Sequence, residues 1–335
     1  MMACLLDVPR FERIYGKYGA LCRQHVPVIL AYHRVYPTPG NGYPFDEGLI
    51  SADPDSFELQ LIFLKRNFYV TNFLKIKEFM DKGAKIPSGS LVITFDDGYA
   101  DNYDIAFPLL KKHGLTATMF VTTGVVGSTD VYWFEKVSWY MKRLPSFDLR
   151  IESLKFHEHI DGDNRNAVRD ILLGILKKVP NRVRLEALGE LECIFSESSL
   201  EENRHFVKML TWDQVVEMDR WGIEIGSHTV SHPVLSSMEE DDIRVELVSS
   251  KETLEEKLGH EVVSVSYPIG GRDAFNPVVE RIAAEAGYCF GLSYMKGVSR
   301  DLSNPYALKR VRVETSIPFR RFAAEVLFPR FFFPS

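Results

Sequence analysis

The chain predicts an α/β fold in which parallel strands are joined by crossover helices and close into a (β/α) barrel rather than an open sheet. Two observations carry this reading. Short apolar runs alternate with helical patterns along most of the 335 residues, and polar, chemistry-bearing residues follow three different runs, as strand ends do in barrels. Strand-like runs fall at 28–32, 91–95, 116–121, 222–225, 262–267, 288–292 and 308–313. A helical pattern over 101–113 stops at Gly114, and another over 276–286 stops at Gly287. The clearest helix covers 238–258, with Ser237 and Glu240 spaced as a capping box and Gly259 as its stop.

Between residues 127 and 209 the alternation ends. The stretches 132–143, 164–177 and 182–195 read as helices and 149–160 as a strand or hairpin. Segment 128–209 is therefore expected to be a mostly helical insertion, acting as a lid or a partner surface. His157 and His159 within it have the spacing of neighbours on one strand face and read as a solvated hairpin. The remaining expected units are an N-terminal helical extension at 1–25, a discontinuous barrel at 26–127 and 210–316, and a C-terminal helix with an aromatic tail at 317–335.

The run Thr94-Phe95-Asp96-Asp97-Gly98-Tyr99 places two carboxylates between an apolar strand and a glycine. Asp-Asp-Gly is also a common turn. Adjacent residues of an extended chain point in opposite directions, so one carboxylate could bind a metal while its neighbour takes a proton. Downstream, His228-Thr229-Val230-Ser231-His232-Pro233 supplies two histidines four apart, and Pro233 biases His232 away from helical angles towards a loop. Joined to a carboxylate from another strand end, they form a candidate His2Asp site with a position left for water, the usual arrangement of catalytic zinc.

These motifs, with Ser266-Tyr267-Pro268-Ile269-Gly270 third in order, resemble those of the polysaccharide deacetylase family, also called the NodB-homology or carbohydrate esterase family 4 group. The likeness covers about residues 26–315. The run Val28-Ile29-Leu30-Ala31-Tyr32-His33-Arg34-Val35 resembles the first strand of the exopolysaccharide-associated branch. The resemblance implies a distorted barrel of about seven parallel strands and removal of N-acetyl groups from amino sugars of a polysaccharide, oligosaccharide or lipid-linked precursor. It implies a divalent metal, zinc first and cobalt or nickel as alternatives, held by Asp97, His228 and His232. Asp96 becomes the general base towards a metal-bound water, the backbone amide of Ile269, after Pro268, an oxyanion donor, and Tyr99 and Tyr267 the walls of the sugar groove.

Two positions depart from the family pattern. Many members carry an arginine two residues before the third motif's proline, where this chain has Ser266; Arg272 and Arg310 are the substitutes, with Arg310 favoured because it resembles a late-strand arginine of the exopolysaccharide branch. Much of the family also uses a late histidine as general acid, and nothing after His260 is a histidine. His33, just past the first strand, is the candidate acid. Other readings are hydrolysis of a different non-peptide C–N bond at the same site, or a catalytically inactive carbohydrate-binding relative.

A net charge of -6 gives no nucleic-acid footprint, and 45% hydrophobic content suits a barrel with an insertion. Cys4, Cys22, Cys193 and Cys289 lack ligand-like spacing. The first residues lack the features of a signal peptide and no segment approaches the length of a membrane helix, so a cytoplasmic protein is expected. The tail from Pro318 to Phe333 interleaves arginine with aromatics, which fits either a closing helix or peripheral membrane contact.

Overall fold

The computed structural model describes residues 26–38, 40, 43–143, 146–195 and 201–333. The proposed extension at 1–25, with Cys4 and Cys22, lies outside the described residues. Twelve strands follow in chain order: β1 Val28–Tyr32, β2 Arg34–Val35, β3 Ile50–Ala52, β4 Tyr69–Thr71, β5 Ser90–Phe95, β6 Thr118–Val121, β7 Phe147–Ile151, β8 Phe156–Ile160, β9 Glu224–Ser227, β10 Ser264–Ser266, β11 Phe290–Lys296 and β12 Leu308–Arg312. Seven of them pair in parallel in the order β1-β12-β11-β10-β9-β6-β5, and β5 returns to β1 through five residue pairs ending at Tyr32 and Phe95. The sheet is thus a closed seven-stranded (β/α) barrel, with β4 added outside β5.

Burial explains the strand sequences. All six residues of β5 and all four of β6 and β9 are buried, since helices cover one face and the barrel interior covers the other. The two-residue period sorts the faces. Ile29, Val92, Phe120, Phe290, Leu292 and Leu308 share one cluster with Phe73 and Ile76 of the helix Phe73–Asp81. Their neighbours Leu30, Ile93, Met119 and Val311 join the larger cluster that packs against the surrounding helices.

Glu224, Gly226 and His228 step along β9 at the same two-residue interval. At the strand's start the buried Glu224 carboxylate accepts from Ser264 Oγ (2.7 Å), Thr118 Oγ1 (2.9 Å) and the backbone N–H of Phe73 (2.6 Å). It thereby joins three strands' surroundings to the first turn of the helix Phe73–Asp81. Gly226 is required by close approach: a Cβ there would lie 2.4 Å from the Phe120 ring and 2.9 Å from Ser264 Oγ.

Several boundaries differ from expectation. The helix expected at 101–113 opens with a π-helical turn, Asn102–Ala106, before the α-helix Phe107–His113, because Pro108 cannot supply a backbone N–H. The capping box at Ser237 and Glu240 does not form. Ser237 sits in a 3-10 turn and gives its hydroxyl to the Val234 carbonyl (2.7 Å), and the helix runs Glu240–Leu258 with Glu239 as its N-cap. A capping box does form at Thr211 and Gln214, opening the helix Trp212–Trp221. That helix ends at Gly222 in the left-handed region, which moves the start of β9 to Glu224. The helices Pro54–Asn67 and Phe73–Asp81 were also missed by periodicity.

In the span between β6 and β9, the helices Trp133–Arg143, Arg165–Leu176 and Asn181–Ile194 surround the antiparallel β7–β8 hairpin. Their shared hydrophobic cluster also takes in Tyr43, Phe45, Ile50 and Tyr99. His159 on the hairpin is 60% exposed and pairs with Asp148 at 2.7 Å. The helix Phe319–Leu327 buries Phe322, Ala323, Val326 and Leu327 against the barrel's outer layer, with Phe63 on Phe319 and Phe322. No helix among the described residues is long and apolar enough to cross a membrane.

Two measurements test these packing arguments. Gly226→Ala should cost about 1–3 kcal/mol in urea unfolding, the usual cost of overpacking a filled core. Burial raises the Glu224 carboxyl from 4.5 to about 7. A carboxyl raised in the fold favours folding below its unfolded pKa and loses that contribution as pH rises to the folded one. The stability of Glu224→Gln relative to the parent should therefore grow by up to about 3 kcal/mol between pH 4.5 and 7.

Candidate active site

The groups singled out in the sequence meet at the C-terminal rim of the barrel. Asp96 and Asp97 follow β5, His228 follows β9, Ser266 closes β10, and Arg310 lies on β12. His228 Nε2 and His232 Nε2 each approach Asp97 Oδ1 at 3.3 Å, and all three side chains are buried. One ligand atom from each lies within 4.8 Å of the others, the one such set found among the described residues.

The chemistry of this set calls for a cation. His228 Nδ1 faces the Ser266 carbonyl at 2.6 Å, and donating its proton there leaves an Nε2 lone pair turned to the carboxylate. Two acceptors cannot share that space without a proton or a metal between them. The second carboxylate oxygen, Asp97 Oδ2, is buried without a hydrogen-bond partner among the described residues. Burial alone would raise the Asp97 carboxyl, yet contacts with His228 and His232 hold it well below the usual range. Burial would lower His228, and Asp97 outweighs it to raise the ring. Asp97, His228 and His232 therefore fit a divalent ion.

Asp96 faces a different partner. Arg310 is fully buried and spends all five guanidinium N–H donors: Nη1 on Asp96 Oδ1 (2.8 Å) and Thr94 Oγ1 (3.1 Å), Nη2 on Asp96 Oδ2 (2.7 Å) and Ser266 Oγ (3.0 Å), and Nε on the Ser293 carbonyl (2.8 Å). Burial would raise the Asp96 carboxyl, but the Arg310 charge and hydrogen bonds hold it below its ordinary value. Arg272 is exposed on its loop and stands away from this arrangement. Ser266 also donates to Asp96 Oδ2 at 3.3 Å, so the short side chain joins the arginine that arrives from β12.

His33 is half-buried on the same rim, edge-on to Tyr294 with ring centroids 5.1 Å apart. Its backbone is fixed by Ser51 Oγ, which accepts from its N–H, and by Asn102 Nδ2, which donates to its carbonyl. Pro268 is buried and Ile269 half-buried, with the Ile269 backbone at φ 63. Tyr99 and Tyr267 are placed otherwise than expected. Both rings are buried, with the Tyr99 hydroxyl on Glu135 (3.1 Å) and the Tyr267 hydroxyl on the Tyr306 carbonyl (3.0 Å), so neither lines an open groove. The reason is the strand period: Ser266 turns inward, which sends Tyr267 out into the helix-facing core.

Backbone strain gathers here. Of the five non-glycine residues with positive φ among the described residues, four are Asp97, Thr229, His232 and Ile269. Such conformations cost about 1–3 kcal/mol each and persist where surrounding contacts impose them. The contacts are visible. Glu246, on the helix Glu240–Leu258, accepts from the N–H groups of Val230 and Ser231 at 2.7 and 2.9 Å. Tyr132 donates its hydroxyl to the Asp97 carbonyl at 2.6 Å, and its ring packs 5.0 Å from His232. Phe134 packs on the same imidazole at 5.2 Å. Sequence reasoning missed Tyr132, Phe134 and Glu246; the aromatic run Tyr132-Trp133-Phe134 was the available signal for the first two.

Comparison with known proteins agrees with this fold. The family model for polysaccharide deacetylases matches residues 83–291. YxkH of Bacillus subtilis, assigned by name to the polysaccharide deacetylases, is 25% identical over 299 residues, 89% of this chain and 75% of that protein. A poly-beta-1,6-N-acetyl-D-glucosamine N-deacetylase of Staphylococcus aureus is 37% identical over 90 residues, only 26% of this chain and 30% of its own length. Among solved structures, the Streptococcus pyogenes deacetylase PplD in complex with acetate superposes with a TM-score of 0.59 at 20% identity, covering 89% of this chain and 96% of that one. IcaB from Ammonifex degensii gives 0.57 at 19% identity, covering 91% and 98%. Both share the fold.

Replacing Arg310 with Gln tests the electrostatics directly. Asp96 would be left buried without its counter-ion, and the variant should lose about 3–5 kcal/mol of stability in urea unfolding at pH 7.

Proposed function

This chain belongs to the polysaccharide deacetylase family, and we propose that it removes N-acetyl groups from amino sugars of a polysaccharide, oligosaccharide or lipid-linked glycan in a metal-dependent hydrolysis. The observation that carries the proposal is the pairing of two unlike carboxylates: Asp97 turned to two imidazoles, and Asp96 clamped by Arg310. The short stretch shared with the staphylococcal poly-N-acetylglucosamine deacetylase supports an N-acetylated sugar as substrate.

Asp97, His228 and His232 would hold the ion, zinc before cobalt or nickel on this donor set. When bound, such an ion lowers the pKa of water and polarises a carbonyl oxygen. Asp96 takes the proton of the attacking water, and Arg310 keeps it ionised and aimed while Ser266 and Thr94 hold the guanidinium in place. The strained turn at Ile269 offers its N–H to the carbonyl oxygen as charge builds there. As the C–N bond breaks, the leaving nitrogen needs a proton. His33, just past β1 where Tyr32 pairs with Phe95, supplies it, giving acetate and a free amine. Segments 26–127 and 210–316 carry these groups, and 128–209 adds the wall of Tyr132 and Phe134 over His232.

The tail supports a peripheral contact with a membrane that holds a lipid-linked substrate. Phe331 is 83% exposed beside the exposed Arg330, and Phe333 returns to Lys296 at the end of β11, on the active-site rim.

The test is acetate release from N-acetylated glycans by protein stripped of metal and reloaded with Zn, Co or Ni. Release should depend on the metal. Asp96→Asn should retain metal and lose at least about 100-fold in turnover, whereas Asp97→Ala, His228→Ala and His232→Ala should lose the metal itself. Retention of metal by both histidine variants would refute the ligand set. Release of another acyl or amine product would move the reading to a different C–N bond. In His33→Gln turnover should fall by about 100-fold or more while metal content is unchanged.

A further inference from the structure

Arg184 has no part in that chemistry, and it is a buried cation with no direct ion pair among the described residues, the Glu246 carboxylate acting on it only through its charge. It lies on the helix Asn181–Ile194 and is 3% exposed. Its Nη2 donates to Asn181 Oδ1 at 2.5 Å, while Nε and Nη1 are buried with no hydrogen-bond partner. Among the described residues, no carboxylate forms an ion pair with it. Burial holds its guanidinium below the ordinary value, at about 10. An unpaired buried charge opposes folding, so the local packing gives no reason for an arginine here.

Two neighbouring nitrogens share the condition. The guanidinium lies over the Trp133 ring, Cζ 5.4 Å from the centroid, and Trp133 Nε1 is likewise buried without a partner. Trp133 meets Phe134 edge-on at 5.6 Å, Phe134 packs on His232 at 5.2 Å, and His232 Nδ1 is the third unpartnered nitrogen along this wall. Guanidinium and indole N–H groups only donate. What completes them must be an acceptor, and a buried positive charge that no carboxylate contacts favours an anionic one.

We propose that Arg184 and Trp133 form an anion subsite on the His232 side of the metal-ligand set, which takes an oxyanion carried by the substrate, a carboxylate of an acidic sugar or a phosphate of a carrier. The proposal rests on the N-acetyl sugar reading above and narrows it: an acidic or phosphorylated N-acetylated sugar is preferred to a neutral one. The anion engages the wall contributed by Trp133 and Arg184, remote from Asp96, so it affects substrate affinity rather than proton transfer.

Calorimetric titration distinguishes the possibilities, with inorganic phosphate, glucuronate, N-acetylglucosamine, N-acetylglucosamine 1-phosphate and an N-acetylated sugar acid as probes of the metal-loaded protein. At least one anionic N-acetyl sugar should bind ten or more times more tightly than N-acetylglucosamine, and whether the phosphate or the carboxylate probe wins identifies the source of the anion. Arg184→Gln should reduce the preference to about twofold or less, with partial recovery in Arg184→Lys. Without ligand, Arg184→Gln should melt no lower than the parent, whereas a purely structural arginine would lower the melting temperature when removed. An equal affinity for neutral and anionic probes, a preference that survives Arg184→Gln, or no Arg184-dependent binding of any probe overturns the subsite. Arg184-dependent binding of phosphate or glucuronate with no binding of any N-acetyl sugar would instead overturn the substrate reading and leave the anion site standing.

Discussion

The buried pair of Asp96 and Arg310 is the constraint around which the barrel mouth is arranged. An ion pair out of water survives only when its remaining hydrogen-bonding capacity is met. Here β5 gives Asp96 and Thr94, β10 gives Ser266, β11 gives the Ser293 carbonyl and β12 gives the arginine itself. Four strands must therefore end at one level, so the register of the barrel and the ionisation of the base have one cause. The register shift between Leu292 and Lys296 on β11 lies beside Arg310, where Lys296 pairs with it. The same pair separates the roles of the two carboxylates. Asp96 is neutralised by a fixed cation, and Asp97 is left with an oxygen that nothing among the described residues satisfies.

Strain and clamping follow from that division. To bring Asp97, His228 and His232 together, the chain adopts positive φ at Asp97, Thr229 and His232. The compensation comes from outside the motifs: Glu246, on the helix Glu240–Leu258, accepts from the N–H groups of Val230 and Ser231 after β9, and Tyr132 donates to the Asp97 carbonyl. The residues between β6 and β9 thus contact the site directly. Their return segment pairs with the loop after β5, Ala100 N–H to the Lys208 carbonyl and Leu210 N–H to the Gly98 carbonyl.

A second buried network secures the same rim. Arg34, 1% exposed, donates to Asp101 (2.8 Å), to the Tyr43 hydroxyl (2.7 Å) and to the Phe206 carbonyl (2.6 Å), and lies over the Tyr99 ring. Glu135 accepts from the Asp46 N–H and from Tyr99, and burial raises its carboxyl to about 7. These contacts hold residues 43–46, the loop after β5 and the helix Trp133–Arg143 together. That is why the second hydrophobic cluster reaches back to Tyr43 and Phe45.

By itself the sequence determined the class of fold and the groups of the site. Apolar runs of strand length separated by helical patterns can be satisfied only by parallel strands with crossovers, and Asp96, Asp97, His228 and His232 are recognisable because carboxylates and imidazoles at strand ends are chemically conspicuous. Only the tertiary structure decided which partner each group meets. Arg310 stands 214 residues from Asp96, and no local pattern encodes a contact between strands that close a ring. Tyr99 and Tyr267 looked like groove residues, but the direction of Tyr267 depends on strand parity, which a one-residue change in boundary reverses, and that of Tyr99 on the left-handed turn at Asp97 and Gly98. The unpaired charge of Arg184 was invisible for the same reason: on a helix it reads as an ordinary surface arginine, and only the packing of Trp133 over it shows that it is buried.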